Sequence, residues 1–229
     1  MFDLQNALPP DQHVWWKLTT DQQFWWNWAV NLAMAGATFL AVFVALFGER
    51  LWKHCFPPSL RMRLLNRYGE RTIARMRNPD NTQSENDVRF FHLRVWNERR
   101  RWSPANNAQV YLTSIEEIGP NGQYQLTWSG NVPMRWRDQE FKSLTQTIGA
   151  EQDADLVMAN QQRNSVSLMP ILAPNNLTVI RQAPCRFVLR LQVRSDEADT
   201  EEMRIQVSWD GVWEDGELEM YNHLRVEAV

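Results

Sequence analysis

The longest apolar segment of the chain runs from 28 to 47 and reads WAVNLAMAGATFLAVFVALF, twenty residues without a charged side chain. The remaining residues are polar enough to give the whole sequence a mean hydropathy of −0.50. At about 1.5 Å per residue, a helix of this length covers roughly 30 Å, the hydrocarbon thickness of a bilayer. The pattern predicts one membrane-spanning helix at 21–55, flanks included, with 28–47 as its core span.

A cleaved signal peptide is the alternative interpretation of this apolar segment. The residues before it carry one lysine against three aspartates, so the preceding region is acidic rather than basic. The sequence LFGERL at 46–51 offers no small-x-small cleavage site. We therefore predict an anchor that stays in the protein.

After residue 58 the apolar period changes from helical to alternating, which is typical of half-buried strands. The clearest case is RFVLRLQVR at 186–194, whose four apolar side chains are predicted to face a core. The predicted strands are 59–65, 70–75, 88–97, 108–118, 124–128, 134–136, 165–169, 186–194, 203–209 and 224–226. The segment NPDNTQSEND at 78–87 has no apolar residue and is predicted to be a loop.

Short strands with turn signals about every ten residues, and no amphipathic helix after the anchor, predict a mainly β fold. We expect a single transmembrane α-helix followed by an antiparallel, immunoglobulin-like β-sandwich, with a closed barrel as the second choice. The predicted organisation is a short non-cytoplasmic tail at 1–20, the helix at 21–55, a basic juxtamembrane segment with short strands and a loop at 56–87, and the sandwich at 88–229.

Four segments carry a resemblance to a known family: FPPSLRMRLLNRYGE from residue 56, FFHLRVWNERRRWSPANNAQVYLTSIEE from 90, GNVPMRWRDQE from 130 and LMPILAPNN from 168. In these the chain resembles uncharacterised bacterial single-pass membrane proteins with an immunoglobulin-like domain. The resemblance implies a membrane anchor followed by a β-sandwich. It implies no activity and no catalytic residues.

Charge is distributed unevenly along the 229 residues, although the formal net charge is only −3. Residues 50–101 hold thirteen basic against five acidic side chains, whereas 102–229 hold ten basic against eighteen acidic. Because positive charge flanks a span on its cytoplasmic side, the C-terminal domain is predicted to be cytoplasmic, at the inner (plasma) membrane, with the N-terminus outside. The negative net charge does not favour binding of nucleic acid.

Basic residues after the span are predicted to contact anionic lipid headgroups, to which each contributes roughly 1 kcal/mol of attraction. They are Arg50, Lys53, Arg61, Arg63, Arg67, Arg99, Arg100 and Arg101. An ordinary solvated surface is the alternative interpretation, and the run at 99–101 also fits a solvated turn.

Small residues recur along the span at a spacing that allows close helix approach. The predicted packing residues are Ala29, Ala33, Ala37, Ala41 and Ala45, with Gly36 alongside and Asn31 as a hydrogen-bonding side chain. We predict a homodimer, or pairing with another membrane protein, through this face. Alanine is also common in membrane helices, and that interpretation stays open.

The four histidines and two cysteines have no metal-ligand spacing, and no nucleophile or phosphate-binding motif occurs. No catalytic residue, metal or cofactor is predicted. The leading functional hypothesis is a membrane-anchored, non-catalytic interaction module that binds a protein partner through sheet faces or edge strands. The alternatives are an oligomerising sensor or effector component coupled through the helix and, more remotely, an enzyme with an unrecognised site.

Overall fold

The computed structural model describes residues 20–77, 83–99, 104–119, 121–137 and 145–229. The chain divides into two compact units, Met1–His54 and Cys55–Val229. The described part of the first unit is helical, and the second is mainly β.

Helix α1 covers Thr20–Cys55, within one residue of the predicted bounds at each end. Its segment Gln22–Gly48 has a mean hydropathy of 2.2, and none of its apolar window is buried. Thirty-six residues make a helix about 54 Å long, which exceeds the thickness of a hydrocarbon core. Within the described residues, this is the one helix long and apolar enough to cross a membrane.

The second unit contains twelve strands and one short helix among its described residues. These are β1 Leu60–Leu64, β2 Glu70–Arg77, β3 Gln83–Asn97, β4 Ala105–Ile118, β5 Tyr124–Pro133, β6 Gln146–Ile148, β7 Glu151–Asn160, β8 Ser165–Leu168, β9 Ile180–Gln182, β10 Cys185–Arg194, β11 Met203–Trp209, α2 Glu217–His223 and β12 Leu224–Ala228.

The described strands form two six-stranded sheets in which every pair is antiparallel. The first sheet has the order β1-β3-β7-β8-β9, with β2 also paired to β3. The second has the order β12-β11-β10-β4-β5, with β6 paired to β4. The mainly β, antiparallel prediction is therefore confirmed.

Strand β3 is the longest strand and carries partners on both of its edges. On one edge, β1 pairs with its C-terminal half and β2 with its N-terminal half, while β7 occupies the other edge. Residues that directly follow α1 in the chain are thereby fixed beside residues around position 97.

Both sheets contribute to one hydrophobic core, which lies entirely within the second unit. Leu93 of β3, Leu112 of β4 and Val207 of β11 are fully buried in it. Full burial of such a side chain contributes roughly 1.5–3 kcal/mol. The four residues of β10 predicted to face inward are each at most 1% exposed, which confirms that prediction: Phe187, Leu189, Leu191 and Val193.

Several predicted strand ends differ from the observed ones by one to five residues. Two differences change what a segment was predicted to be. Residues 83–87 were predicted to be a loop because their side chains are polar. They belong to β3, where pairing with β2 supplies their backbone hydrogen bonds. The predicted strand at 134–136 is reduced to isolated bridges, Met134 with Pro170 and Trp136 with Ala154.

Four elements were not predicted from the sequence: β6, β7, β9 and α2. Strands β6 and β9 have only three residues each, too few to show a period. Strand β7 begins with acidic residues of low β propensity, yet it pairs with both β3 and β8. Helix α2 has only seven residues and one buried side chain, Met220, so it shows no apolar stripe. Helix α2 was therefore not predicted from the sequence.

Candidate functional site

Helix α1 presents two rows of side chains with i+4 spacing on opposite sides. The alanine row consists of Ala29, Ala33, Ala37, Ala41 and Ala45, all exposed, and Gly36 beside it has open space around its Cβ position. Two residues further along the chain, about 200° around the helix, Phe39, Phe43 and Phe47 form a bulky row with ring centroids 6.4 and 5.1 Å apart. The alanine row is thus the side on which another backbone can approach closely.

Asn31 lies on the bulky row rather than the alanine row. It is two residues from both Ala29 and Ala33, and therefore about 200° away from each around the helix. Helix geometry separates Asn31 from the packing face to which the sequence assigns it. A hydrogen bond from Asn31 would serve a different neighbour.

A frame of hydrogen bonds holds the segment 57–59 against the turn after β3. The Asn97 side-chain oxygen accepts from the backbone N–H of Ser59 at 3.1 Å and of Arg99 at 3.0 Å. The N–H of Glu98 donates to the Ser59 carbonyl at 2.9 Å, and the Ser59 hydroxyl donates to the Glu98 carboxylate at 3.1 Å. The Arg99 guanidinium donates to the Pro57 carbonyl at 3.3 Å. The basic turn therefore lies beside residues that follow α1 directly in the chain.

The structure describes the side chains of four arginines in the predicted headgroup site, all of them exposed: Arg61, Arg63, Arg67 and Arg99. Arg61 forms an exposed ion pair with Glu98 at 3.4 Å, which adds little stability. The Arg63 guanidinium lies 5.4 Å from the Trp96 ring centroid, and that of Arg67 lies 4.8 Å from the Tyr68 ring centroid. Among the described residues, only Arg61 of these four pairs with a carboxylate, so the surface keeps a positive charge.

The other four predicted headgroup residues cannot be located by their side chains. Arg50 and Lys53 fall within the last turns of α1, but their side chains lie outside the described part of the structure. Arg100 and Arg101 lie outside the described residues altogether. Of the eight residues predicted to contact headgroups, the structure therefore describes the side chains of the four arginines from 61 to 99.

A second charged cluster lies on the first sheet, where β2, β3 and β7 pair. His92 Nδ1 is 3.0 Å from Asp155 Oδ1, and Arg135 Nε donates to Asp155 Oδ2 at 2.8 Å. His92 Nε2 is 3.8 Å from Glu70 Oε2, and Arg137 donates to both Glu70 oxygens at 3.1 and 2.6 Å. The imidazole is therefore flanked by two carboxylates, each bound by an arginine.

The buried carboxylate of this cluster is stabilised in its charged form. Burial by itself would raise the pKa of Asp155, but hydrogen bonds from His92 and Arg135 outweigh it and lower that pKa below its ordinary value. A catalytic dyad would need a nucleophile hydrogen-bonded to the imidazole. No serine, threonine or cysteine in the described residues makes such a bond to His92. These contacts hold β2, β3 and β7 and the segment 134–137 together.

The sequence interpretation missed this cluster, although a signal for it exists. Arg135 and Arg137 alternate along the chain, as do Asp153 and Asp155, which places each pair on one face of an extended segment. His92 lies on the face of β3 opposite Phe91, as the alternation predicts, but it is only 6% exposed. Because no strand was predicted at β7, the sequence did not show that these arginines and aspartates lie next to each other.

Strand β5 ends the second sheet and exposes apolar side chains at that edge. Tyr124 is 53% exposed and Leu126 is 59% exposed. A cavity of about 780 Å³ lies next to this strand, with Arg181, Cys185 and Phe187 in its lining. Among the described strands nothing pairs with the outer edge of β5, and a concave surface adjoins it. Extended peptide ligands use these two features.

Compared with known proteins, the chain matches no family model and no curated sequence. Among the described residues, no group of three or more histidine, cysteine, aspartate or glutamate side chains is arranged to hold a metal ion. The functional interpretation therefore rests on the surfaces described above.

We expect Ala37→Leu to abolish dimers that are crosslinked in native membranes, because a bulky side chain on the alanine row prevents close approach of two helices. Ala35→Leu is the matched control, since Ala35 lies on the bulky row with Asn31 and Phe39. Crosslinking that survives Ala37→Leu, or that both variants reduce equally, would contradict pairing through the alanine row.

Asp155→Asn should lower the free energy of unfolding at pH 7 by about 1–3 kcal/mol, because it weakens a buried, charge-assisted network. The folded pKa of Asp155 lies below its unfolded value of about 3.9, so the unfolded state binds more protons between the two. The stabilisation is therefore present above pH 4 and is lost as the pH falls through the folded pKa.

Urea denaturation of a fragment spanning residues 55–229, which holds the whole described core, measures both effects. The difference between wild type and Asp155→Asn should shrink as the pH is lowered. Glu85→Gln is the control, because the Arg75–Glu85 pair is exposed and its loss should leave stability nearly unchanged. Parallel pH profiles for wild type and Asp155→Asn would show that Asp155 is not held charged by its partners.

Proposed function

We propose that this chain is a single-pass membrane protein whose C-terminal unit is a non-catalytic interaction module in the cytoplasm. In this proposal the unit is an immunoglobulin-like β-sandwich that lies near the inner membrane and binds a protein partner there. Anionic lipid headgroups orient it, and α1 anchors it.

The observation that carries the proposal is the frame of Asn97, Glu98 and Ser59. It ties the arginine-containing turn after β3 to residues that begin only two positions after the end of α1. If α1 spans a bilayer, covalent connection keeps this turn near the headgroups. Exposed arginines at such a distance are attracted to anionic lipid, whereas the same residues far from a membrane would be ordinary surface charge.

Orientation is supported by the charge distribution. The basic excess follows the helix within residues 50–101, and the segment before the helix is acidic. A cytoplasmic C-terminal unit is the orientation that the positive-inside rule favours. An oxidising compartment is not required either, because both cysteines, Cys55 and Cys185, are free.

A partner-binding role is supported by the edge of β5 and the adjoining cavity. An unpaired edge offers backbone N–H and C=O groups to an added strand, and the exposed Tyr124 and Leu126 offer apolar contact area. We propose this region, rather than the polar cluster around His92, as the partner-binding surface.

A second candidate function is an oligomerising sensor or effector component. The alanine row on α1 favours it, because small residues on one side of a membrane helix permit close packing with a second helix. The two functions are compatible, since a paired anchor would present two interaction modules side by side.

The first experiment determines topology with two separate fusions to Val229, one of a reporter active only outside the membrane and one of a reporter active only inside. We expect activity from the inside reporter alone, because the basic segment follows the helix. Activity from the outside reporter alone would reverse the orientation and refute a cytoplasmic module.

A second experiment measures binding of the 55–229 fragment to anionic vesicles. Replacing Arg61, Arg63 and Arg99 by Glu should weaken binding roughly 100-fold or more, since each arginine contributes about 1 kcal/mol. The matched control replaces three exposed arginines elsewhere, Arg163, Arg186 and Arg225, by Glu. Equal losses in both triple variants would mean that net charge alone, not this surface, drives the attraction.

A further inference from the structure

An arginine near the middle of β3 is buried among core residues. Arg89 is 0% exposed and pairs in register with Arg71 of β2 and Ala159 of β7. A Cβ at Gly69, whose φ is +68°, would lie 2.7 Å from Arg89 Cγ and 2.9 Å from Phe91 Cζ. Arg89 therefore shares the inner face of β3 with Phe91, and the glycine leaves room for its stem.

The guanidinium of Arg89 is only partly satisfied by its surroundings. Its Nη1 donates to the Tyr68 carbonyl at 2.9 Å, and its central carbon lies 5.9 Å from the Trp213 ring centroid. Its Nε and Nη2 are buried and have no hydrogen-bond partner, and the same is true of the Trp213 indole nitrogen. Buried donors of this kind are rare in folded proteins and call for a physical explanation.

The two unpartnered nitrogens of Arg89 lie side by side on the guanidinium. Nε and Nη2 form one edge of the guanidinium plane, with their N–H bonds roughly parallel. That edge matches two oxygens of a carboxylate or a phosphate, which arginine binds through two parallel hydrogen bonds. The third free donor, the indole N–H, belongs to the ring over which the guanidinium lies.

No carboxylate of the described residues forms an ion pair with Arg89. The nearby Asp215 carboxylate is instead 2.9 Å from Arg71, and Glu217 acts on Arg89 only through longer-range attraction. Burial is the largest influence on this group and lowers the pKa of Arg89 from its usual value. Burial thus disfavours the charged form of Arg89, a cost that a bound anion would offset.

The segment 210–216, which we name the cover loop, contacts the core through Trp213. Its Gly211 lies against Asn164 and Ala183, and its Trp213 lies over Arg89. An exposed ion pair from Asp215 to Arg71 fastens it at one end. Other contacts hold it as well: the Trp209 indole N–H donates to the Val212 carbonyl at 2.9 Å, and the Trp209 and Trp213 ring centroids are 6.4 Å apart. An ion can therefore reach Arg89 only when Trp213 moves away from the core against which it packs.

We propose that the Nε–Nη2 edge of Arg89, together with the indole N–H of Trp213, is a binding site for a small oxyanion, a carboxylate or phosphate group admitted beneath the cover loop. This inference is independent of the membrane-anchored function. It assigns a ligand chemistry to a part of the second unit that the headgroup surface and the β5 edge leave unexplained.

The test uses the full chain in a phosphate-free maltoside detergent, titrated with inorganic phosphate or with acetate and compared with chloride at equal ionic strength. We expect a saturable rise in the unfolding temperature with at least one oxyanion, because a ligand that binds only the folded state stabilises it. Saturation by phosphate alone assigns a phosphate ligand, and saturation by acetate alone assigns a carboxylate. No saturable effect beyond that of chloride overturns the proposal.

Two variants connect the effect to the named donors. Arg89→Lys keeps the charge but loses the bidentate edge, and Trp213→Phe keeps the ring but loses its N–H. Each should weaken binding about tenfold, the loss expected for one hydrogen bond to a charged group. Arg186→Lys, at an exposed arginine, should bind as wild type does.

A direct readout keeps the proposal testable even if Arg89→Lys does not fold. In arginine ¹⁵N-labelled wild-type protein, one Nε–H resonance should shift saturably with the same midpoint as the thermal titration. Trp213→Phe should raise that midpoint. If Trp213→Phe binds as tightly as wild type and no Nε–H resonance shifts, the guanidinium serves only to pack against Trp213, and the oxyanion site is refuted.

Discussion

The pairing of β3 along both of its edges is the constraint on which the rest of the second unit depends. Its fifteen residues bind β1 and β2 on one side and β7 on the other. Antiparallel registers leave little freedom, because a one-residue slip would turn every core side chain of the strand outward. The hydrogen-bond frame near residue 97, the cluster at His92 and the buried Arg89 are all consequences of this one set of pairings.

Arginines near β3 occupy three different environments, and the contribution of the charge to stability differs among them. Arg63 is exposed and stacks on Trp96, so its charge stays available to the surroundings. Arg135 neutralises the buried carboxylate of Asp155, and the pair supports the packing of two segments. Arg89 is buried without a counterion in the described residues, which is the costly arrangement that points to a ligand.

The helix and the β unit follow different physical rules. In the core of the β unit, burial of apolar area supplies the driving force, and side-chain alternation selects the inward face. On α1 every described side chain from 22 to 47 is exposed, so lipid or a second helix must cover it if it lies in a bilayer. In lipid, helix association depends on close backbone approach, for which the alanine row is suited and the opposite phenylalanine row is not.

The sequence by itself determined the apolar helix to within a residue at each end, the mainly β character of the rest, and the inward face of β10. These features depend on side chains within a few positions of one another, so local periodicity is enough to predict them. Four of the arginines that the sequence predicts to contact headgroups are exposed, and their contact with lipid stays a prediction. Asn31 was assigned to the wrong side of α1 because spacing was not followed around the helix axis.

Only the tertiary structure decided which distant residues meet. Strand β7 has acidic residues that weaken its local signal, and it exists because β3 and β8 supply hydrogen bonds on both edges. With β7 in place, Asp155 reaches His92, sixty-three positions away along the chain. Arg89 is buried by residues that are distant in the chain, since Trp213 lies over its guanidinium. Long-range pairing is selected by the free energy of the whole core, which no local window of sequence contains.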